Sequence, residues 1–145
     1  MGEYPDIFPD NFESDILPKD AKALDRKVFR IMKQGKIDRD GFLSTFEEIK
    51  LGKMPMPKRG IDINDPGTYS TSCYENYNEL QYILKLVMKH HPRPIIVGGV
   101  TKGDCGLSQL TRERVLEKVD SLVDWWIFKN ALPHNFFRKV DENEE

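Results

Sequence analysis

Leu122-Val123-Asp124-Trp125-Trp126-Ile127-Phe128 is the stretch from which the fold follows. It is apolar at every position but Asp124 and holds neither Gly nor Pro. A run this short is too brief for a buried helix and suits a strand covered on both faces. Neighbouring residues of a strand point to opposite sides, so Trp125 and Trp126 serve different faces. At least one is expected in the core. The other is expected to cover a loop or line a groove, where aromatics make good ligand or partner contacts.

Working outward, Ile95-Ile96-Val97 is a second buried strand, ending at Gly98-Gly99. Pro92 and Pro94 separate it from a helix over 78–90 and forbid that helix to continue. Within the helix, Leu80, Ile83, Leu84, Val87 and Met88 follow the spacing of one buried face. Thr68 to Tyr74 reads as a short strand. Residues 38–50 read as a helix capped by Asp38, with Phe42, Leu43, Phe46 and Ile49 as its apolar stripe and Gly52 as its stop. Residues 20–33 admit two readings. Ala21, Leu24, Val28 and Ile31 or Met32 make a helical stripe capped by Asp20, whereas 27–33 is rich in strand formers. The strand is the preferred reading, and Gly35 ends either. Residues 111–121 stay open between a short charged helix and an irregular excursion. A short helix begins at Pro133 and runs to 139.

Two long connections remain, 52–67 and 102–111, and long loops in compact domains are often functional. Residues 1–19 carry Pro5, Pro9 and Pro18 beside Phe8, Phe12, Ile16 and Leu17, an extended arm with apolar anchors expected to lie across the domain. The order β-α-β-α-β-β-α predicts an α+β fold. Its expected form is a single domain over 1–145, a small mixed or antiparallel sheet packed with three to four short helices and long loops.

The chain has 145 residues, of which 39% are hydrophobic and 32% charged. That length suits one domain, which buries roughly 70% of its unfolded surface. No apolar run reaches the ~18 residues of a membrane span. The opening Met-Gly-Glu-Tyr-Pro-Asp has no apolar signal segment, and with two cysteines a disulfide scaffold is not expected. The expectation is a soluble, cytoplasmic protein with free thiols at Cys73 and Cys105.

Charge is unevenly placed. Residues 1–18 hold five acids and no bases, 19–59 hold twelve bases against six acids, and the tail 141–145 holds four acids. The net charge of −2 argues against a general nucleic-acid binder, because phosphate binding needs bases gathered on one face. Cys73, Cys105, His90, His91 and His134 do not form the short-spaced clusters of a zinc site, so no metal is expected. His90 and His91 sit where a helix C-terminus favours cations. Val97-Gly98-Gly99-Val100-Thr101-Lys102-Gly103 lacks the Walker spacing and reads as a strand end with a tight turn. Cys105, between Gly103 and Gly106, is expected in an exposed loop. Asp124, set among aromatics, becomes an acid–base candidate if buried and unpaired. Arg112, Arg114 and Lys129 are its nearest possible partners.

Arg30 in Val28-Phe29-Arg30-Ile31, followed by Ser70-Thr71-Ser72 on a short strand, a helix and an apolar strand, resembles the layout of ADP-ribosyltransferases. The resemblance covers 28–33 and 68–101. It implies that Arg30 holds a phosphate or ribose of NAD and that Ser70 braces the nicotinamide pocket, with Thr71 and Ser72 as further cofactor-binding candidates. The late Glu-x-Glu of that family is absent, with Glu113 and Glu117 the nearest late glutamates. The order of Val28-Phe29-Arg30-Ile31, Asp40-Gly41-Phe42-Leu43-Ser44, Tyr69-Ser70-Thr71-Ser72 and Val123-Asp124-Trp125-Trp126 also resembles small bacterial or phage α+β proteins, and implies no activity.

No catalytic constellation is complete in the sequence. The leading expectation is therefore a non-enzymatic protein-interaction domain whose partner is another protein, with no cofactor. The alternative is a divergent ADP-ribosyltransferase-like domain binding NAD or a nucleotide. The alternative requires Arg30 and Ser70 to meet in one cleft.

Overall fold

A computed structural model describes residues 2–140. Its centre is one six-stranded sheet with every neighbouring pair antiparallel. The strands are β1 (Lys27–Met32), β2 (Thr71–Tyr74), β3 (Ile95–Val100), β4 (Gly106–Leu110), β5 (Leu122–Ile127) and β6 (Phe137–Lys139). Their spatial order is β4-β5-β2-β1-β3-β6. Two α-helices are present among the described residues, α1 (Thr45–Lys50) and α2 (Tyr77–Val87), so the α+β fold is dominated by its sheet.

Alternation along the strands divides the side chains between two faces. One face gathers Val28, Met32, Cys73, Val97, Val123, Trp125 and Ile127 around Phe42 and Phe137. On the other face, Phe29, Ile31 and Ile96 meet Leu80 of α2, with Ile83, Leu84 and Val87 packed against them. Also on that face, Trp126 is covered by the N-terminal arm, whose Tyr4, Phe8, Phe12 and Ile16 form an apolar cluster with Phe46, Tyr69 and Phe128. The arm thus crosses the domain on its apolar anchors. Both tryptophans are fully buried.

Strand β4 is absent from the sequence reading, which leaves 102–111 as a loop. Its run Gly106-Leu107-Ser108-Gln109-Leu110 lacks β-branched and aromatic residues. It pairs with β5 along its whole length, and its other edge is met by Lys22, which exchanges backbone bonds with Ser108 at 2.9 and 2.8 Å. The Arg26 Nε donates to the Ser108 hydroxyl at 2.9 Å, which satisfies a buried polar side chain.

The expected helix over 38–50 is split. Asp38 accepts the Gly41 amide and closes a 3₁₀ turn at Arg39–Phe42, after which Leu43 is extended. Ser44 then starts α1 with a capping box: its hydroxyl accepts the Glu47 amide while Glu47 accepts the Ser44 amide. The Ser-x-x-Glu signal moves the helix start from Asp38 to Ser44. Phe42 and Phe46 consequently enter different clusters.

The expected helix over 133–139 is one 3₁₀ turn, Pro133–Phe136, followed by β6. Gly98 and Gly99 do not end their strand. They lie within β3 opposite Arg138 and Phe137 of β6, so they form no phosphate loop. A Cβ on Gly99 would fall on the Phe136 carbonyl oxygen and the Phe137 ring. Thr68 and Tyr69 belong to a turn, Pro66–Tyr69, which Asp65 caps at its start and Ser70 at its end, and the strand itself starts at Thr71. The excursion 111–121 holds one 3₁₀ turn, Thr111–Glu113. The acidic tail 141–145 lies outside the described residues.

Candidate functional site

Asp124 sits in the middle of β5, on the Trp126 face, directly opposite Ser72 on one side and Gln109 on the other. Only 3% of it is exposed. Its Oδ1 accepts the Ser70 hydroxyl at 2.6 Å, and its Oδ2 accepts the Thr111 hydroxyl at 2.9 Å. The Arg114 guanidinium adds a charged bond to Oδ2 at 2.7 Å. Its other arm donates to Gln109 Oε1 at 2.7 Å, and the Gln109 amide in turn donates to Asp20 at 2.7 Å. Arg114 also stacks toward Trp126, 5.9 Å from the ring centre, and the Trp126 indole donates to the Pro66 carbonyl at 2.9 Å. Both Asp124 oxygens thus carry close donors, and Arg114 supplies the compensating charge. Such an arrangement holds a carboxylate in place, with both oxygens occupied. The acid–base expectation for Asp124 required an unpaired carboxylate, which is not what the structure places there.

Arg30 lies on the opposite face. It shares the side of Val28 and Met32, with its guanidinium 5.9 Å from the centre of the Phe42 ring. Strands β1 and β2 pair only at Phe29 and Tyr74, then separate. Arg30 spans the gap: Nε donates to the Gly41 carbonyl at 2.8 Å and Nη1 to the Ser72 carbonyl at 2.6 Å. Ser70 belongs to the Asp124 network across the sheet. Arg30 and Ser70 therefore do not share a cleft. Thr71 is turned to the Phe42 side, where its hydroxyl donates to the Phe42 carbonyl at 2.6 Å, while the Ser72 side is exposed. The three hydroxyls of Ser70-Thr71-Ser72 are divided between faces and two of them bind protein groups.

Both cysteines are free and buried. Cys105 is not in an exposed loop: it stands just before β4 within the apolar cluster around Trp125. Burial raises the pKa of its thiol, and burial pushes that of Cys73 up to about 12. A thiolate nucleophile needs the opposite shift. Among the described residues no His, Cys, Asp or Glu group is arranged to hold a metal ion.

A cleft of about 840 Å³ was not anticipated from the sequence. It opens beside Arg30 and is lined by the end of β1, the following basic turn with Lys33 and Lys36, the Asp38–Gly41 turn, residues 53–55, and His90 and His91 after α2. The signal available in the sequence was the run Lys33-Gln34-Gly35-Lys36, but nothing there brings it to the end of α2.

No family model, curated protein or solved structure matches this chain. The class it can be assigned rests on its own architecture, a sheet-dominated α+β domain. No described helix is long and apolar enough to cross a membrane.

Proposed function

We propose that this chain is a non-enzymatic interaction domain that binds another protein through the 114–121 excursion. One observation carries the reading: Leu116 is 85% exposed and Val119 92% exposed, on a segment fastened at both ends. Arg114 is tied to Asp124 at one end. At the other, the Ser121 hydroxyl accepts the Asn76 amide and its own amide donates to Glu79 at the start of α2. Isolated exposed apolar residues are common, but two on one excursion held at both ends offer a partner a contact whose flanks need no ordering. Farther along α2, Tyr82 and Leu86 are also exposed. The buried polar groups around Asp124 support the same reading, because they bond one another. An NAD site built on Arg30 and Ser70 finds no support in their placement on opposite faces.

The test compares wild type with a Leu116→Asp, Val119→Asp variant as baits in extracts of the source cell, with Leu24→Asp as an exposed-apolar control. The reading expects one stoichiometric partner held by wild type and by the control and lost from the double variant. A partner retained equally by all three, or no partner with any, overturns it.

A further inference from the structure

The cleft beside Arg30 carries a charge imbalance that the fold does not resolve. Its lining holds four bases, Arg30, Lys33, Lys36 and Lys53, against three acids, of which two face a lysine while Asp38 keeps its charge. Asp40 pairs with Lys53 at 3.2 Å, Glu48 stands 4.0 Å from Lys33, and Asp38 accepts the Gly41 amide. Arg30 has no carboxylate within ion-pair distance among the described residues; Glu48 acts on it only from farther away. Carbonyl oxygens take its Nε and Nη1, and these orient the guanidinium without neutralising it. The remaining arm, Nη2, has no hydrogen-bond partner among the described residues. Lys36, exposed on the same cleft, has no acidic partner among the described residues either, and His90 and His91 add two further nitrogen-bearing rings.

Arg30 is half-buried, so its charge stays within reach of a solute that enters the cleft. A guanidinium held rigid by two carbonyls presents its free arm in fixed geometry, the arrangement that suits an oxyanion. The cleft volume of about 840 Å³ lies within the range of small-molecule sites, roughly 300–1,000 Å³. Met32, Met54 and Pro55 give part of its wall an apolar character. We propose that this cleft binds a small phosphoryl-bearing molecule, with Arg30 and Lys36 on the phosphoryl oxygens and the methionine wall against the rest. The site uses none of the hydroxyls of Ser70-Thr71-Ser72, although the Ser72 carbonyl helps to hold Arg30, and it does not depend on the protein-interaction reading.

The test is calorimetric titration of the full chain at low salt with pyrophosphate and, separately, with ADP. Arg30 also braces the sheet, so the decisive variant is Lys36→Glu, an exposed position, with its fold checked by circular dichroism. Wild type is expected to bind at least one probe saturably. Lys36→Glu is expected to weaken that binding about tenfold or more, the equivalent of one charge-assisted contact. Tighter binding of ADP than of pyrophosphate supports contact with the methionine wall, and equal binding supports recognition of the phosphoryl groups alone. Absence of saturable heat with both probes at millimolar concentration overturns the proposal. So does binding that Lys36→Glu leaves unchanged.

Discussion

Arg30 Nη1 donates to the Ser72 carbonyl across 2.6 Å at the point where β1 and β2 part after a single residue pair. With the bond from Nε to Gly41, the guanidinium does the joining that ladder hydrogen bonds do elsewhere in the sheet. A lysine would keep the charge but cannot reach both carbonyls in one plane. Arg30→Lys is therefore expected to cost about 1–3 kcal/mol, the range for losing a charged hydrogen bond. Urea unfolding of the two proteins measures it. A loss within the noise of the extrapolation would show that the strands hold together without this bridge.

Among the described residues, Asp124 and Arg114 form the one ion pair with a carboxylate almost fully out of water, while Arg114 itself keeps partial access. Removing the charge leaves a guanidinium without its partner and two hydroxyls competing for a weaker acceptor. Asp124→Asn is expected to lower stability by about 2–4 kcal/mol. Arg114→Gln should cost a similar amount, and the double variant less than the sum, with a coupling of about 1–3 kcal/mol. Strict additivity in a double-mutant cycle would show that the pair is not the unit argued here.

The parts of this fold that the sequence reveals are those whose pattern is local. Strand β5 and helix α2 each declare themselves by apolar spacing within their own residues, and β1 by its β-branched and aromatic content. Strand β4 does not, because what buries Ser108 and Gln109 comes from far away: Arg26 for one, Asp20 and Arg114 for the other. Strand β6 is hidden for a different reason. Its three residues, Phe137–Lys139, form a strand only because the bare Gly98 and Gly99 let them approach β3. The same division holds at the sites. Arg114 is foreseeable as a partner for Asp124 from proximity in the chain. Ser70, 54 positions away, is not, and neither is the cleft that joins the end of β1 to the residues after α2.

That close approach gives a direct test of β6. A methyl group at Gly99 would meet the Phe136 carbonyl oxygen and the Phe137 ring, and backbone cannot swing aside as a flexible side chain can. Gly99→Ala is expected to destabilise by about 1–3 kcal/mol, the usual cost of overpacking. The damage should be local first. Amides in the β3–β6 register, Val97 with Lys139 through Gly99 with Phe137, should lose hydrogen-exchange protection before those shared by β2 and β5. Uniform loss across the sheet would mean that β6 unfolds only with the whole domain.

Alkaline solution should weaken the fold, and the sign follows from burial. The Cys73 thiol is raised from 9.0 to about 12, chiefly because a thiolate there would lose its water, with Asp124 adding to the rise and Arg30 opposing it. Burial likewise raises the Tyr4 hydroxyl above its ordinary 10.0, with Glu13 adding to it. Both groups hold their protons more tightly when folded than when unfolded. Their contribution is complete below the unfolded values and is lost as pH climbs toward the folded ones. For Cys73 that window runs from about pH 9 to 12. Within it each such group steepens the fall by about 1.4 kcal/mol per pH unit. Urea midpoints measured from pH 7 upward should hold nearly level and then drop. Cys73→Ala should start lower, because it leaves a cavity, yet fall with a shallower slope. The same burial predicts that iodoacetamide labels Cys73 at pH 8 only as fast as the protein opens. Labelling of the folded chain at the rate of a free thiol, or an unchanged slope in the alanine variant, would remove Cys73 from this account.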